Sequence, residues 1–359
     1  MRLTVGCSRG CPAELHYELH RHGGAGHADA GRASEDVTAP RRVFCIMGLL
    51  TDGAQWWPQV EALASKQHGY TLLTFDNRGV GRSSAPPHQY KYTTSMMAAD
   101  AFELLEHVGW APATTHLAGV SMGGMIALEM LTEQGKRPRS AHGARRDPFL
   151  SASLIVTTPT GPLRSPLTGS PPLPFFTTLG RQLFVTRLTT AERKMLDMEL
   201  NFDPGWLAAD SGHLHPTTAV PMTNAKRVTR VGAKIYFGKK DDGFKPSAGT
   251  TGTIGQLMAG ATHHISTRKL GTIRDSGTTV LVVGATHDKL VRLSSGAEVL
   301  AASLDPYEYL LCDSGHAVNV QCADQVNAAM LRLFAAASGQ LHGPRAPAIK
   351  TAQAARSKL

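Results

Sequence analysis

A serine flanked by glycines is the part of this sequence that most directly offers chemistry. The stretch Gly119–Gly123 has the sequence Gly-Val-Ser-Met-Gly, and helix formers with a wide apolar face follow at residues 125–131. In a sharp strand-to-helix turn the hydroxyl of Ser121 would be exposed, and the glycines would let neighbouring backbone approach closely. Such a serine can act as a nucleophile. Glycine and serine are also common in ordinary turns, so the pattern alone leaves a purely structural turn open.

A nucleophilic serine needs two partners: a general base that accepts its proton and a carboxylate that orients the base. Asp288 and His316 follow Ser121 in the chain and supply both residue types. Their order, serine then aspartate then histidine, is one in which such triads occur. The sequence therefore predicts Ser121 as the nucleophile, His316 as the base and Asp288 as the residue that orients His316.

Each of these three residues follows a segment with the composition of a buried strand. Residues 115–118 precede the serine turn, residues 278–283 form a β-branched apolar run before Asp288, and residues 307–312 precede His316. In an open α/β sheet, ligands bind outside the carboxyl ends of the strands. We therefore expect the three side chains to converge at one edge of a sheet.

Other residues compete for the role of the acid or the base. Residues 153–159 form another predicted strand but end without a carboxylate. Asp313 lies only three residues before His316 and is interpreted as a residue that caps the local turn through backbone N–H groups. His287 is adjacent to Asp288, and because neighbouring side chains at a strand end usually diverge, we interpret it as a surface histidine.

Two further motifs accompany the serine turn. Residues 46–50 have the sequence Ile-Met-Gly-Leu-Leu, and residues 75–83 have the sequence Phe-Asp-Asn-Arg-Gly-Val-Gly-Arg-Ser. Together with the serine turn and the order of the triad, they resemble the α/β-hydrolase fold superfamily, in its branch of capped serine hydrolases. The resemblance extends over roughly residues 41–337.

The resemblance implies further residue roles. Matching residue by residue, the backbone N–H groups of Leu49 and Met122 would form the oxyanion hole, where losing one donor typically costs about 3 kcal/mol of barrier. Met47 occupies a position where the family often has histidine, a departure that bears on loop shape and polarity rather than on the base. Asp76 and Arg78 are interpreted as residues that hold their turn together.

The resemblance also implies a fold: an α/β-hydrolase fold with a mostly parallel, eight-stranded-type sheet, flanking helices and a helical cap inserted between strands six and seven. The predicted division is a core of residues 1–158 and 273–337, a cap of residues 159–272, and a flexible basic tail of residues 338–359. At the start of the chain, residues 1–5 and 14–19 predict an antiparallel edge hairpin. Within the cap, residues 252–256 (Gly-Thr-Ile-Gly-Gln) resemble a motif of related proteins without an evident role.

The formal net charge of +9 at pH 7 raises the question of a nucleic-acid partner. Two segments, residues 134–147 and 339–359, each carry a net charge of +4. Neither has the interleaved aromatic side chains that stack on bases. We therefore predict solvated basic segments and no nucleic-acid partner.

The sequence indicates neither a metal nor a cofactor. Four histidines lie near the start of the chain, but nothing in the sequence fixes their geometry for a metal ion. The five cysteines form an odd set without a zinc-like C-x-x-C pair, which favours free thiols in a reducing compartment.

Both ends of the sequence can be compared with known targeting signals. No run of about eighteen apolar residues and no N-terminal signal-peptide segment is present, so we expect no stable membrane insertion. The last residues, Ser357, Lys358 and Leu359, match a peroxisomal import signal read by a receptor. We expect that receptor as a partner and the peroxisomal or glycosomal matrix as the location, or the cytoplasm if the signal is not used.

The predicted function is a cofactor-independent serine hydrolase that cleaves a carboxylic ester, thioester or related acyl bond through an acyl-enzyme. Its partner would be a small acyl substrate, and the predicted location suggests a lipid-derived one. Two enzymatic alternatives use the same triad, a cofactor-free perhydrolase and a C–C bond hydrolase. A ligand-binding receptor with little turnover is a third alternative, because fold does not fix function.

Overall fold

An eight-stranded, mostly parallel sheet forms the centre of the protein in a computed structural model of the 359-residue chain. The structure describes residues 1–22, 41–86, 92–133, 148–164, 198–214, 219–229 and 249–339. The strands are β1 (Arg2–Val5), β2 (Ala13–His20), β3 (Arg42–Ile46), β4 (Thr71–Phe75), β5 (His116–Val120), β6 (Ser151–Ile155), β7 (Asp210–Leu214), β8 (Pro221–Thr223), β9 (Thr279–Ala285) and β10 (Glu308–Cys312).

The strand order in the large sheet is β1-β2-β4-β3-β5-β6-β9-β10, and β7 pairs with β8 in a separate two-stranded sheet. β1 is antiparallel to β2, which confirms the predicted edge hairpin, and β2 is antiparallel to β4. The pairs from β4 to β10 are all parallel. The carboxyl ends of these strands therefore share one edge of the sheet.

Helices cover both faces of this sheet. They are α1 (Trp57–Leu63), α2 (Thr94–His107), α3 (Met122–Glu133), α4 (Pro204–Ala208), α5 (Gly249–Thr262), α6 (Thr267–Arg274), α7 (Ala297–Leu304), α8 (Val318–Gln321) and α9 (Ala323–Ala337). Apolar residues of α2, α3, α6 and α7 form one buried cluster with the sheet, and residues of α1 and α9 form another. Because both faces are covered, β5, β6 and β9 are buried almost throughout, as is typical of parallel sheets.

The segment between β6 and β9 contains α4, the small sheet, α5 and α6. Leu270 and Ile273 of α6 are buried in the cluster that α2 and α3 form with the sheet. The division into a core and a cap of residues 159–272 stays a prediction. Residues 340–359, which include most of the predicted tail and its import signal, lie outside the described residues.

Within the described ranges, no helix is long and apolar enough to cross a membrane. All five cysteines fall inside those ranges, and all are free thiols.

Candidate active site

Ser121 lies between β5 and α3, in the turn that the sequence predicts. Its φ of 55° places it in the left-handed region that few residues other than glycine adopt. Two hydrogen bonds fix this conformation: the Ser121 N–H donates to the Ile155 carbonyl at 2.9 Å, and the Thr157 hydroxyl donates to the Ser121 carbonyl at 2.7 Å. A strained residue that its surroundings hold in place is typical of functional sites.

The glycines around Ser121 are required by close packing. A Cβ atom on Gly119 would lie 2.4 Å from the carbonyl oxygen of Gly123. A Cβ on Gly123 would lie 2.1 Å from the carbonyl oxygen of Ile46, at the end of β3. A Cβ on Gly124 would lie 2.5 Å from the Cβ of Thr157. The turn therefore packs directly on the neighbouring strand ends.

This packing predicts a difference between two glycine-to-alanine changes in helices. Gly123→Ala should lower the free energy of unfolding by about 1–3 kcal/mol, because the new methyl group must displace backbone. Gly271→Ala in α6 is the matched control, since its Cβ would meet only the Arg274 guanidinium at 4.0 Å. That change should be neutral or stabilising by up to about 1 kcal/mol. Urea denaturation of both variants checks the prediction, and equal stabilities would contradict it.

Asp288 and His316 are hydrogen-bonded as the sequence predicts. His316 Nδ1 lies 2.7 Å from Asp288 Oδ2, and the two side chains are 7% and 2% exposed. The other carboxylate oxygen, Oδ1, accepts the N–H groups of Leu290 at 2.7 Å and Val291 at 2.9 Å. Because a carboxylate can only accept, Nδ1 must carry the proton, and Nε2 of the neutral ring is left as an acceptor. This is the tautomer that a general base requires.

The loop that carries His316 is held by contacts on both sides of the histidine. The Gly315 N–H donates to Gln321 Oε1 at 3.0 Å, and the Ala317 N–H donates to the Asn201 carbonyl at 2.8 Å. A Cβ on Gly315 would lie 2.8 Å from the same Asn201 carbonyl. The histidine is therefore presented by a closely packed backbone.

The structure brings Ser121, Asp288 and His316 to the same edge of the sheet, because each follows the carboxyl end of a parallel strand. Among the hydrogen bonds of the described residues, none joins Ser121 Oγ to His316 Nε2. In proteins without substrate such catalytic hydrogen bonds are often long and tighten only in the complex.

Asp313 and His287 bond to each other on the surface. His287 Nε2 lies 2.8 Å from Asp313 Oδ1, and their side chains are 60% and 87% exposed. Asp313 Oδ1 also accepts the Thr286 hydroxyl at 3.0 Å. The sequence predicts that Asp313 caps the local turn through backbone N–H groups, whereas its observed contacts are to the side chains of His287 and Thr286. The reason is the strand register: Cys312 pairs with Ala285, so the residues after β9 and β10 meet.

The loop after β3 lies directly against the serine. A Cβ on Gly48 would lie 3.1 Å from Ser121 Cβ and 3.6 Å from its Oγ. Met122 is the first residue of α3, so its N–H has no acceptor within the helix. In the described part of the chain, neither this N–H nor that of Leu49 donates a hydrogen bond. Both groups thus remain available for the predicted oxyanion hole.

The turn after β4 supports this loop, consistent with the structural role predicted for Asp76 and Arg78. Asp76 accepts the N–H groups of Gly53 and Arg82, each at 2.8 Å. Arg78 is buried and donates to both carboxylate oxygens of Asp100, at 2.5 and 2.8 Å. The turn is therefore fixed to α2 on one side and to the loop after β3 on the other.

Gln256 is a site residue whose role the sequence does not reveal. It lies on α5, is fully buried, and bonds through both atoms of its amide. Its Oε1 accepts the Leu50 N–H at 2.7 Å, and its Nε2 donates to the Arg78 carbonyl at 2.9 Å. The signal in the sequence is the motif of residues 252–256, which does not indicate the distant partners.

A thiol with a lowered pKa lies near the histidine loop. A hydrogen bond with the Cys312 thiol lowers the pKa of Cys322 to about 7. Cys322 is partly buried and directly precedes α9. Because the thiolate is the nucleophilic form of cysteine, Cys322 is a control residue for experiments that label Ser121.

A family model described as the alpha/beta hydrolase fold matches residues 41–142. This range contains β3, β4 and β5, with both loops described above and the serine turn. The chain has the α/β-hydrolase fold.

Individual relatives of this chain differ in their described reactions. A Mycobacterium tuberculosis (strain CDC 1551 / Oshkosh) protein described as a non-heme bromoperoxidase, BpoC, is 29% identical over 297 residues, covering 82% of this chain and 93% of that protein. A Rhizobium rhizogenes (strain K84) protein described as a carbamate hydrolase, RutD, is 27% identical over 329 residues, covering 90% and 99% respectively.

A solved structure of an esterase from Thermogutta terrifontis matches with a TM-score of 0.63, covering 94% of this chain and 99% of that one, at 16% sequence identity. At that identity the likeness shows the fold alone.

Proposed function

We propose that this α/β-hydrolase fold protein is a serine hydrolase that cleaves a carboxylic ester, thioester or related acyl bond through an acyl-enzyme. The observation that carries the proposal is the 2.7 Å hydrogen bond between Asp288 and His316, at the sheet edge where Ser121 lies. An orienting carboxylate, a base in the required tautomer and a serine in a strained turn are the components of this chemistry.

The proposed reaction has two halves. Ser121 Oγ attacks the acyl carbon while His316 Nε2 accepts its proton, and the negative charge on the carbonyl oxygen is stabilised by the N–H groups of Leu49 and Met122. Protonated His316 then gives the proton to the leaving alcohol or thiol. Water, deprotonated by His316, releases the acid from Ser121. Asp288 stabilises the charged imidazole in both halves.

A burst experiment tests this proposal. With p-nitrophenyl esters of graded acyl length, rapid mixing should release about one equivalent of p-nitrophenol per chain before steady turnover, provided that deacylation is the slower step. Acyl thioesters of the same lengths show which leaving group is preferred. A ligand-binding receptor would release no product with any of these substrates.

A second activity, perhydrolysis, is favoured by the relative described as a non-heme bromoperoxidase, which aligns over 82% of this chain. In that reaction hydrogen peroxide replaces water as the acceptor of the acyl group, giving a peracid that oxidises bromide. Bromination that requires acetate, hydrogen peroxide and Ser121 would support this activity.

We also propose import into peroxisomes or glycosomes for a chain whose last residue is Leu359. An N-terminally tagged protein should be found in these organelles, and removal of Ser357, Lys358 and Leu359 should leave it in the cytosol. Fluorescence microscopy of both forms checks this prediction. The same cytosolic distribution for both would show that the match is accidental.

A further inference from the structure

We propose that Gln256 is a positioning residue for the oxyanion hole: it fixes the backbone at Leu50 so that the preceding N–H, that of Leu49, faces the reacting carbonyl. This inference rests on the proposed function, because it concerns the same reaction. It assigns a catalytic purpose to a residue of α5, far in sequence from the triad and from both proposed N–H donors.

The loop after β3 is held at both of its ends by the turn after β4. At the first end, Asn77 Nδ2 donates to the Met47 carbonyl at 2.9 Å. At the other end, the Gly53 N–H donates to Asp76 at 2.8 Å. Between these two anchors lie Gly48, whose Cβ would lie 3.6 Å from Ser121 Oγ, and the following residues Leu49 and Leu50.

The middle of this loop is in an unfavourable conformation. Leu50 has a φ of 56°, which a leucine adopts only when its surroundings enforce it. Its N–H donates to Gln256 Oε1 at 2.7 Å, a partly buried hydrogen bond that contributes to this enforcement. The Leu50 N–H belongs to the peptide unit that joins Leu49 to Leu50. A rotation of this unit also reorients the preceding part of the loop, which carries the Leu49 N–H.

Gln256 itself is held by the turn after β4. Its Nε2 donates to the Arg78 carbonyl at 2.9 Å, and the Arg78 side chain is paired with Asp100. α5 approaches this turn so closely that a Cβ on Gly252 would lie 2.2 Å from the Gly79 carbonyl. The amide of Gln256 therefore connects the loop after β3 to a turn that the pair of Arg78 and Asp100 holds in place.

A donor that is present but misplaced reduces transition-state stabilisation and leaves substrate binding largely intact. Gln256→Met keeps the approximate volume of the side chain and removes both hydrogen bonds. We expect kcat to fall by about 10- to 100-fold with KM nearly unchanged. This fall in kcat should not exceed the fall caused by removing a complete oxyanion donor. Affinity for a trifluoromethyl ketone, which forms a tetrahedral oxyanion on the serine, should fall by a similar factor.

The matched control is Ser151→Ala, which also removes a buried hydrogen bond. Ser151 Oγ lies 2.8 Å from His116 Nδ1, at the beginnings of β6 and β5 and thus at the edge of the sheet opposite the site. This variant should be less stable than the wild type with an unchanged kcat. The comparison separates a loss of stability from a loss of catalysis.

Gln256→Glu provides a second, pH-dependent measurement if Gln256→Met fails to fold. A protonated carboxyl group can still accept the Leu50 N–H and donate to the Arg78 carbonyl, whereas an ionised one can only accept. The neighbouring ionisable groups are Arg78 with its partner Asp100, and Tyr92, whose ring contacts α5 at Gly255. The wild type has the same groups, so their titration cancels in the ratio of variant to wild-type kcat. The pH dependence of this ratio therefore reports the ionisation of the introduced carboxyl group. This ratio should be highest at low pH and fall as that group ionises.

The outcomes are distinguishable. A wild-type protein without Ser121-dependent turnover would overturn the proposed function and this inference with it. An active wild type with an equally active Gln256→Met variant, or a ratio for Gln256→Glu that does not change with pH, would overturn the positioning role alone. A Gln256→Met variant that raises KM and leaves kcat unchanged would assign Gln256 to substrate binding and would also overturn it.

Discussion

Replacing Ser121 with alanine is expected to reduce acyl-ester hydrolysis by about 10³-fold or more and to leave the fold intact. The large effect follows because alanine has no oxygen that could attack the acyl carbon. The fold should survive because the observed hydrogen bonds of Ser121 to Ile155 and Thr157 use its backbone atoms, which alanine retains. Steady-state kinetics and circular dichroism on the same preparation check both parts.

A Cys322→Ser variant is the appropriate control for this experiment, since Cys322 is the acidic thiol near the histidine loop. It should hydrolyse esters at the wild-type rate. Full activity in Ser121→Ala, or a large loss in Cys322→Ser, would mean that the nucleophile has been assigned to the wrong residue.

Asp288→Asn is expected to lower kcat by up to about 10⁴-fold. The asparagine oxygen can still accept the Leu290 and Val291 N–H groups, so the loop should keep its geometry. Its NH₂ group would then face His316 Nδ1 and donate to it. The proton of the neutral ring would be moved to Nε2, where it prevents that atom from accepting the proton of Ser121. The kcat at saturating ester measures the loss.

Asp313→Asn is the matched control, as an aspartate in the same region that does not contact His316. Its side chain is 87% exposed and bonds to His287 and Thr286, and exposed pairs of this kind contribute about 0–1 kcal/mol. We expect an almost unchanged kcat. A greater loss in Asp313→Asn than in Asp288→Asn would show that the acid is misassigned.

The fold could be predicted from the sequence because its strands show clear patterns of apolar and polar residues. The buried strands β5 and β9 are short apolar runs that turn residues terminate, and the edge hairpin shows alternation. These are local properties, and they also place Ser121, Asp288 and His316 at strand ends. The parallel order of the strands then brings the three residues to one edge.

Contacts between distant segments could not be predicted in this way. The interaction of Asp313 with His287 depends on the register of β10 against β9, which no local pattern specifies. Gln256 and Leu50 are separated by 206 positions in the chain, so their hydrogen bond is a consequence of tertiary packing. A glutamine on a helix is otherwise expected to be solvated, and its complete burial is the observation that reveals its role.

The central claim, that Ser121 is an activated nucleophile, is tested most directly by mapping the site of covalent modification. After treatment with an alkyl fluorophosphonate, intact-mass spectrometry should show a single adduct per chain. Peptide sequencing should place this adduct on Ser121, and Asp288→Asn should slow its formation. Modification of another residue such as Cys322, or an unmodified Ser121 in a preparation that hydrolyses esters, would contradict the claim.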